Sequence, residues 1–420
     1  MDIYINHENK NARLITAVQH VHEEGHDFPP LSQEHFPVEL APSPEGTNER
    51  LAFLKKHTGK DLPYLAGKQH FTDVTNLAGN IENYIGMAYI PTGLIGPIRV
   101  YGTEARGDFY VPLATSEGAL VASFHRGAKA CYLAGGVVSV CLEEGVQRAP
   151  IFKFENITEL GNFLMWVLPQ VDKFKEIVAQ KSRFAQLNEL KATIEGNHLI
   201  LTFEYQTGDA AGQNMVTLCT DLICKYLIEN APIKPTYWFI EGNYSGDKKA
   251  TALSFTNVRG KKVTTEITLS GDIVRQVLKT TPELMTEYWR SSTMGVVQSG
   301  AVGAQGHYAN GLTALFIATG QDVACIAEAA TGITRMEMTQ DGGLYVSVTL
   351  PSLVVGTVGG GTSLPTQREC LELLDCYGAG KARKFAEICG AVVIAGEISI
   401  AAAISAGHFS AAHEKFGRKR

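Results

Sequence analysis

No CxxC pair occurs in the chain, and its eight cysteines are scattered along 420 residues. Neither Cys219 with Cys224 nor Cys370 with Cys376 has zinc-ligand spacing, so they read as buried thiols of a cytosolic protein, not as a disulfide framework or a metal site. Basic clusters are equally scarce. A net charge of −6 with no dense Lys/Arg run argues against a nucleic-acid binder, and the tail Gly417-Arg418-Lys419-Arg420 is too short to alter that. The stretch Met1 to His7 lacks the basic-then-apolar layout of a secretion signal. The longest apolar run, 388–406, carries Glu397 at its middle and so reads as a buried helix, not a membrane span. The expectation is a soluble cytoplasmic protein without a membrane anchor.

Familiar cofactor and nucleophile signatures are missing as well. Gly378-Ala379-Gly380-Lys381 falls short of a P-loop because Asp375 stands where Gly is required and Ala382 where Ser or Thr is. Arg383 at the last position also excludes G-x-G-x-x-G. No Ser or Cys has a G-x-S-x-G setting, which weighs against an acyl-CoA hydrolase. His20, His22 and His26, with Glu23 and Glu24, are the one histidine cluster, and a solvated polar stretch is preferred there over a weak metal site.

What is present has the length of two or three domains. Residues 1–85 read as an arm and helical region, with Thr47 capping a helix over 48–57 and Gly59 closing it. Residues 86–149 and 240–413 read as one large domain, and 414–420 as a tail. Between them, 150–239 reads as an inserted ferredoxin-like unit: strand 151–154, an amphipathic helix over 159–180, strand 198–205 with Leu199, Leu201, Phe203 and Tyr205 on one face, then a helix to about Glu229. A helix from Ser116, strands over 262–269 and 344–350, helical stretches over 272–290 and 307–331, and a long final helix from Ala382 complete the expectation.

Several polar residues sit in small, apolar surroundings, and each has a plain explanation when taken alone. Glu117 stands at a strand-to-helix junction, where a first-turn carboxylate answers the helix dipole. Asp247, Lys248 and Lys249 form an ordinary polar turn. Asp322 follows an apolar stretch as an N-cap would. His413 lies near the end of a helix of Ala and Ser, where a lone His is usually solvated.

Their order changes that reading. The strings Glu82-Asn83-Tyr84-Ile85-Gly86, 113–118, 208–215, Asp247-Lys248-Lys249 and 356–362 are collinear. From about Thr47 to His413 they resemble the motifs of 3-hydroxy-3-methylglutaryl-CoA reductases. Gly320-Gln321-Asp322 and 181–185 look closest to the NADPH-using branch of that family.

The resemblance implies an α/β (α+β) fold: a helical N-terminal region, a large substrate domain with a long central helix, and an inserted ferredoxin-like cofactor domain. It implies NADPH as cofactor, 3-hydroxy-3-methylglutaryl-CoA as substrate, and a dimer or dimer of dimers with shared active sites. Glu117, Lys248, Asp322 and His413 match the catalytic residues. Ser182 and Arg183 match the grip on the 2′-phosphate. Asp209, Ala210, Ala211, Gly212, Gln213 and Asn214 match the cofactor motif, whose small residues let a pyrophosphate approach backbone N–H groups at a helix start. For Ala210 and Ala211 a Gly/Ala-rich packing contact remains a credible explanation. Arg148, Asp247, Lys249 and Asn310 match substrate contacts, and Arg126 matches a CoA phosphate contact. His307, one helical turn from Asn310, supports the site or is a satisfied core histidine, with neither reading favoured.

The chemistry asks for these residue types. Reducing a thioester to an alcohol takes two hydrides, and a cation at the carbonyl, Lys248 by resemblance, stabilises the oxyanion by about 3–4 kcal/mol in comparable sites. The departing CoA thiolate needs a proton, which suits His413, and Glu117 is the family's donor to the second oxygen. A helix N-terminus would keep Glu117 ionised, so burial among Ala114, Ala119 and Leu120, plus a second carboxylate at Asp322, is expected to reverse that, and the resemblance implies that Asp322 bridges Glu117 and Lys248. Three positions depart from the family pattern: Glu241 replaces Ser, Gly246 replaces Thr, and Ala250 replaces Pro. The alternative function is an idle or non-redox acyl-CoA-binding protein, which acyl-CoA-dependent oxidation of NADPH excludes.

Overall fold

The computed structural model describes residues 42–407 together with Asp2, Ile3, Ile15, Gln19, 30–32, Glu34 and 36–38. His413, the basic tail and the histidine cluster at 20–26 lie outside the described residues. The elements before the insertion are β1 (Asp2–Ile3), α1 (Pro44–Thr58), β2 (Thr92–Gly102), β3 (Arg106–Ala114), α2 (Leu120–Leu133) and β4 (Val137–Arg148). Within it are β5 (Ile151–Lys153), α3 (Ile157–Val167), α4 (Val171–Lys181), β6 (Gln186–Glu195), β7 (His198–Gln206), α5 (Gln213–Asn230) and β8 (Tyr237–Phe239). After it come β9 (Gly260–Leu269), α6 (Pro282–Ser299), α7 (Tyr308–Thr319), β10 (Ile333–Met338), β11 (Leu344–Leu353), α8 (Pro365–Leu373) and α9 (Ala382–Ser405).

Helix α1 is capped by Ser43, not Thr47: the Ser43 Oγ accepts from the Gly46 N–H at 3.0 Å, and the Thr47 hydroxyl donates back to the Ser43 carbonyl. Gly59 closes the helix in the left-handed region, as the sequence predicts. The expected helix from Ser116 starts only at Leu120, after Ala119 at φ 69. The single helix expected over 159–180 is two, with the break at Leu168–Gln170 around Pro169.

The large core forms around an antiparallel ladder β10–β11–β9–β4, with β2 parallel to β4 and β3 hairpinned onto β2. Helix α9 runs through it, buried over most of its length. It is apolar and long enough to cross a membrane, but 83% of its apolar window is packed inside the protein. Gly127 lets α2 cross it closely, because a Cβ there would run into the Ala395 carbonyl. The two carboxylates of this helix are satisfied, as buried charges must be. Glu387 accepts from the Thr103 hydroxyl and from the N–H groups of Glu104, Ala105 and Cys141. Glu397 accepts from Gly306 N–H, His307 N–H and the Thr334 hydroxyl.

The insertion has its own core, built on Phe152, Phe163, Phe174, Leu201, Phe203 and Ile223 among others. Leu199, Leu201, Phe203 and Tyr205 are all buried, as their alternation predicts. Strand β6, which the sequence reading missed, completes a β-α-β-β-α-β unit. Its antiparallel order β8–β5–β7–β6 is the ferredoxin-like arrangement. The end of β4 also pairs with β7, so one continuous ladder joins insertion and large core.

Candidate active site

Lys248 sits in the loop after β8 with φ 55, a left-handed conformation that a side chain with a Cβ rarely adopts. Its ammonium meets Asp322 Oδ2 at 2.9 Å. That hydrogen bond raises the Lys248 pKa above its ordinary value despite a desolvation cost, so the side chain is held as a cation. Burial pushes the Asp322 carboxyl up, but Lys248 and the Ala324 N–H outweigh it and the net shift is downward. Asp322 also caps the turn Val323–Cys325, so the plain N-cap expectation and the ion pair both hold.

Glu117 is elsewhere. It is exposed, lies ahead of α2 rather than in its first turn, and accepts from Asn310 Nδ2 at 2.9 Å. The expected burial is therefore absent within one chain. Asn310 is in the first turn of α7 and Asp322 lies beyond its last. From Asn310 to Thr319 the helix rises about 14 Å at roughly 1.5 Å per residue. The pairs Asn310–Glu117 and Lys248–Asp322 therefore occupy opposite ends of one helix, and no bridge from Asp322 to Glu117 forms within the chain. His307 caps the same end of α7 as Asn310. Its Nδ1 faces Glu397 at 3.3 Å and its ring stacks on Phe124, so it is a core histidine that also anchors the Asn310 turn.

Arg148 is buried and donates to Glu241 Oε2 at 3.0 Å and to Asp247 Oδ2 at 3.4 Å. The unusual Glu241 is thus absorbed as a partner of Arg148, and it also accepts from the Tyr244 N–H. Asp247 accepts from Arg259 at 2.5 Å, while Lys249 is exposed and donates to the Asp247 carbonyl. Arg126 reaches α9, donating to the Ser399 hydroxyl and carbonyl. Arg259 and its partner Glu328 were missed by the sequence reading; an arginine between Val258 and Gly260 at a strand start carries no motif.

In the cofactor string, α5 begins at Gln213, after Gly212 at φ 80. Gly212 at the N-cap has no side chain to cap this helix, so among the described residues its first N–H groups remain available to an anion. Ala210 and Ala211 are half-exposed and Asn214 is exposed. Asp209 has a different partner: its carboxylate accepts from the N–H groups of Gly380, Lys381 and Ala382, capping α9. The glycine run begins against this string, since a Cβ on Gly356 would meet Ala211 N at 2.7 Å and Asp209 O at 2.9 Å. Ser182 ends α4, its hydroxyl accepting from Phe184 and Ala185 N–H. Arg183 is exposed, with its guanidinium 5.8 Å from the Phe184 ring centre.

Comparison with known proteins points the same way as this arrangement. The sequence profile of the family described as hydroxymethylglutaryl-coenzyme A reductase matches residues 46–418. The 3-hydroxy-3-methylglutaryl-coenzyme A reductase of Pyrococcus horikoshii is 44% identical over 89% of this chain and 91% of its own length. That of Aeropyrum pernix is 42% identical over 92% and 93%. The fold is also that of the class II 3-hydroxy-3-methylglutaryl-CoA reductase from Streptococcus pneumoniae bound to NADPH in open conformations. Its TM-score is 0.68 at 20% identity, covering 85% of this chain and 96% of the other. With both the motif strings and the whole-chain matches in agreement, the chain belongs to the hydroxymethylglutaryl-coenzyme A reductase family.

Proposed function

We propose that the chain reduces 3-hydroxy-3-methylglutaryl-CoA to mevalonate and free CoA with two equivalents of NADPH. The observation that carries the reading is Lys248, fixed as a cation by Asp322 in a loop next to the uncapped start of α5 across the shared neighbour Arg259. The residues fit NADPH: free N–H groups at α5, small residues ahead of them, and the exposed Arg183, which makes no ion pair among the described residues. In this reading those N–H groups bind the pyrophosphate, and Ser182 and Arg183 hold the 2′-phosphate. NADPH supplies the hydride.

Lys248 then neutralises the negative charge that gathers on the acyl oxygen in each reduction. Asp322 keeps it protonated and aimed. Arg148, Asp247, Lys249 and Asn310 orient the acyl group, Arg126 meets the CoA phosphates, His413 protonates the leaving thiolate, and Glu117 donates the proton for the second reduction. Because Glu117 and Asp322 sit at opposite ends of α7, we place Glu117 of one copy beside Lys248 of another, in a dimer or dimer of dimers. The exposed apolar residues Ile81, Ile85, Met87, Tyr89 and Ile90 around Glu82–Gly86 suit such a contact. A soluble cytoplasmic enzyme is the matching setting. Initial rates of NADPH and NADH oxidation with the acyl-CoA test this: acyl-CoA-dependent oxidation favouring NADPH supports it, and binding without oxidation overturns it.

A further inference from the structure

Arg259 is 2% exposed, and all three guanidinium nitrogens have partners. Nε donates to Glu328 Oε1 at 3.3 Å, Nη1 to the Gln147 carbonyl at 3.2 Å, and Nη2 to Gln213 Oε1 at 2.8 Å and Asp247 Oδ1 at 2.5 Å. These acceptors belong to four pieces of chain. They are the short helix Ile326–Ala329 beyond the Asp322 turn, the end of β4, the first residue of α5, and the loop that carries Lys248.

Glu328 is also buried, at 1% exposed. Burial raises its carboxyl pKa, while Arg259 and then the Lys248 backbone N–H act against that rise. The segment from Asp322 to Glu328 therefore grips the loop twice. Asp322 takes the tip of Lys248, and Glu328 acts from below through Arg259 and Asp247. A left-handed lysine persists only where its surroundings over-determine the backbone, and this buried pair lies directly under it.

We propose that Arg259 and Glu328 are positioning residues, which hold the loop 246–249 so that Lys248 faces Asp322 and which lock that loop to the start of α5. The proposal rests on the reading of Lys248 as the oxyanion's cation. One fork-shaped guanidinium serves four acceptors, which the single ammonium of a lysine cannot do. Removing one charge of such a pair strands the other, whereas replacing both leaves no buried charge between them.

The test uses the purified full chain in four variant forms: Arg259→Lys, the double variant Arg259→Met with Glu328→Gln, Lys248→Ala as control, and Lys248→Ala combined with the double variant. Thermal unfolding is measured in parallel. The expected result is that the first two fold, lose at least tenfold in kcat with both the acyl-CoA and mevaldehyde, and change the KM for NADPH less than threefold. Lys248→Ala combined with the double variant loses no more than Lys248→Ala alone, because the pair acts through Lys248. A folded Arg259 variant with kcat within threefold of wild type overturns the proposal. So does failure of both variants to fold, which assigns the pair to the fold itself. If Lys248→Ala alone keeps full activity, it is the reading of Lys248 that falls.

Discussion

Asn310 and Asp322 bracket the same helix: Asn310, in the first turn of α7, holds Glu117, and Asp322, just beyond the last turn, holds Lys248. A rigid helix thus keeps the proposed acid and the proposed cation apart within one chain. Two chains related by a closed symmetry can bring them together.

That separation has a genetic signature. Glu117→Gln and Lys248→Ala should each be nearly inactive alone. Co-expressed and randomly paired, about a quarter of the sites combine a sound Glu117 with a sound Lys248 from different chains. The unfractionated mixture should regain about that share of wild-type activity, and dimers isolated with two tags, which hold one sound site of two, about half of wild-type activity. No recovery above the single variants would mean that the two residues act within one chain.

Cofactor choice rests on Arg183. Replacing it with Ala should raise the KM for NADPH by an amount corresponding to about 1.5–3 kcal/mol, the loss of one charge-assisted contact, while NADH is spared. Equal loss with both cofactors would remove Arg183 from the 2′-phosphate site.

Glu241 is the clearest departure from the family pattern, and its carboxylate occupies Arg148. Glu241→Ser should lower the KM for the acyl-CoA several-fold, because a negative charge near the substrate's own carboxylate is gone and Arg148 is released toward it. Thermal stability should fall at the same time, since Arg148 keeps only the longer Asp247 contact. An unchanged or raised KM would show that the pair is needed intact.

Much of this was legible in the sequence where function sits in consecutive residues. The loop Asp247-Lys248-Lys249, the cofactor string and the glycine run were recognisable by resemblance without tertiary information, the alternation in β7 followed from periodicity, and the buried α9 from an apolar run with Glu397 at its middle. The start of α2 was not legible, because Ala119 takes a left-handed backbone that neither Gly nor Asn announces. The capping role of Asp209 was hidden because its N–H donors are more than 170 residues away in sequence. The convergence on Arg259 is likewise purely long-range. The distance from Glu117 to Asp322 needed the length and direction of α7, which motif order does not carry.

The buried Glu397 links the fold to pH. Burial raises its carboxyl pKa, but His307, its backbone N–H and Thr334 outweigh that, and the net shift is downward from 4.5. A carboxyl with a lower pKa folded than unfolded contributes stability that is complete above about pH 4.5 and is lost as pH falls through the folded value. Glu397→Gln should therefore flatten the loss of thermal stability below pH 4.5 while lowering it at neutral pH by about 1–3 kcal/mol. Melting curves from pH 7 down to 3 decide this; parallel curves for the two proteins would contradict it.

The central claim is that Lys248 stabilises charge in both reductions, and comparing the two half-reactions in Lys248→Ala tests it most directly. NADPH oxidation should be measured with 3-hydroxy-3-methylglutaryl-CoA and separately with mevaldehyde, in wild type and variant. Wild type should turn over both, and the variant should lose about 10²–10³-fold in kcat with each, the usual effect of removing one oxyanion donor. A variant that still reduces mevaldehyde at the wild-type rate would contradict the account.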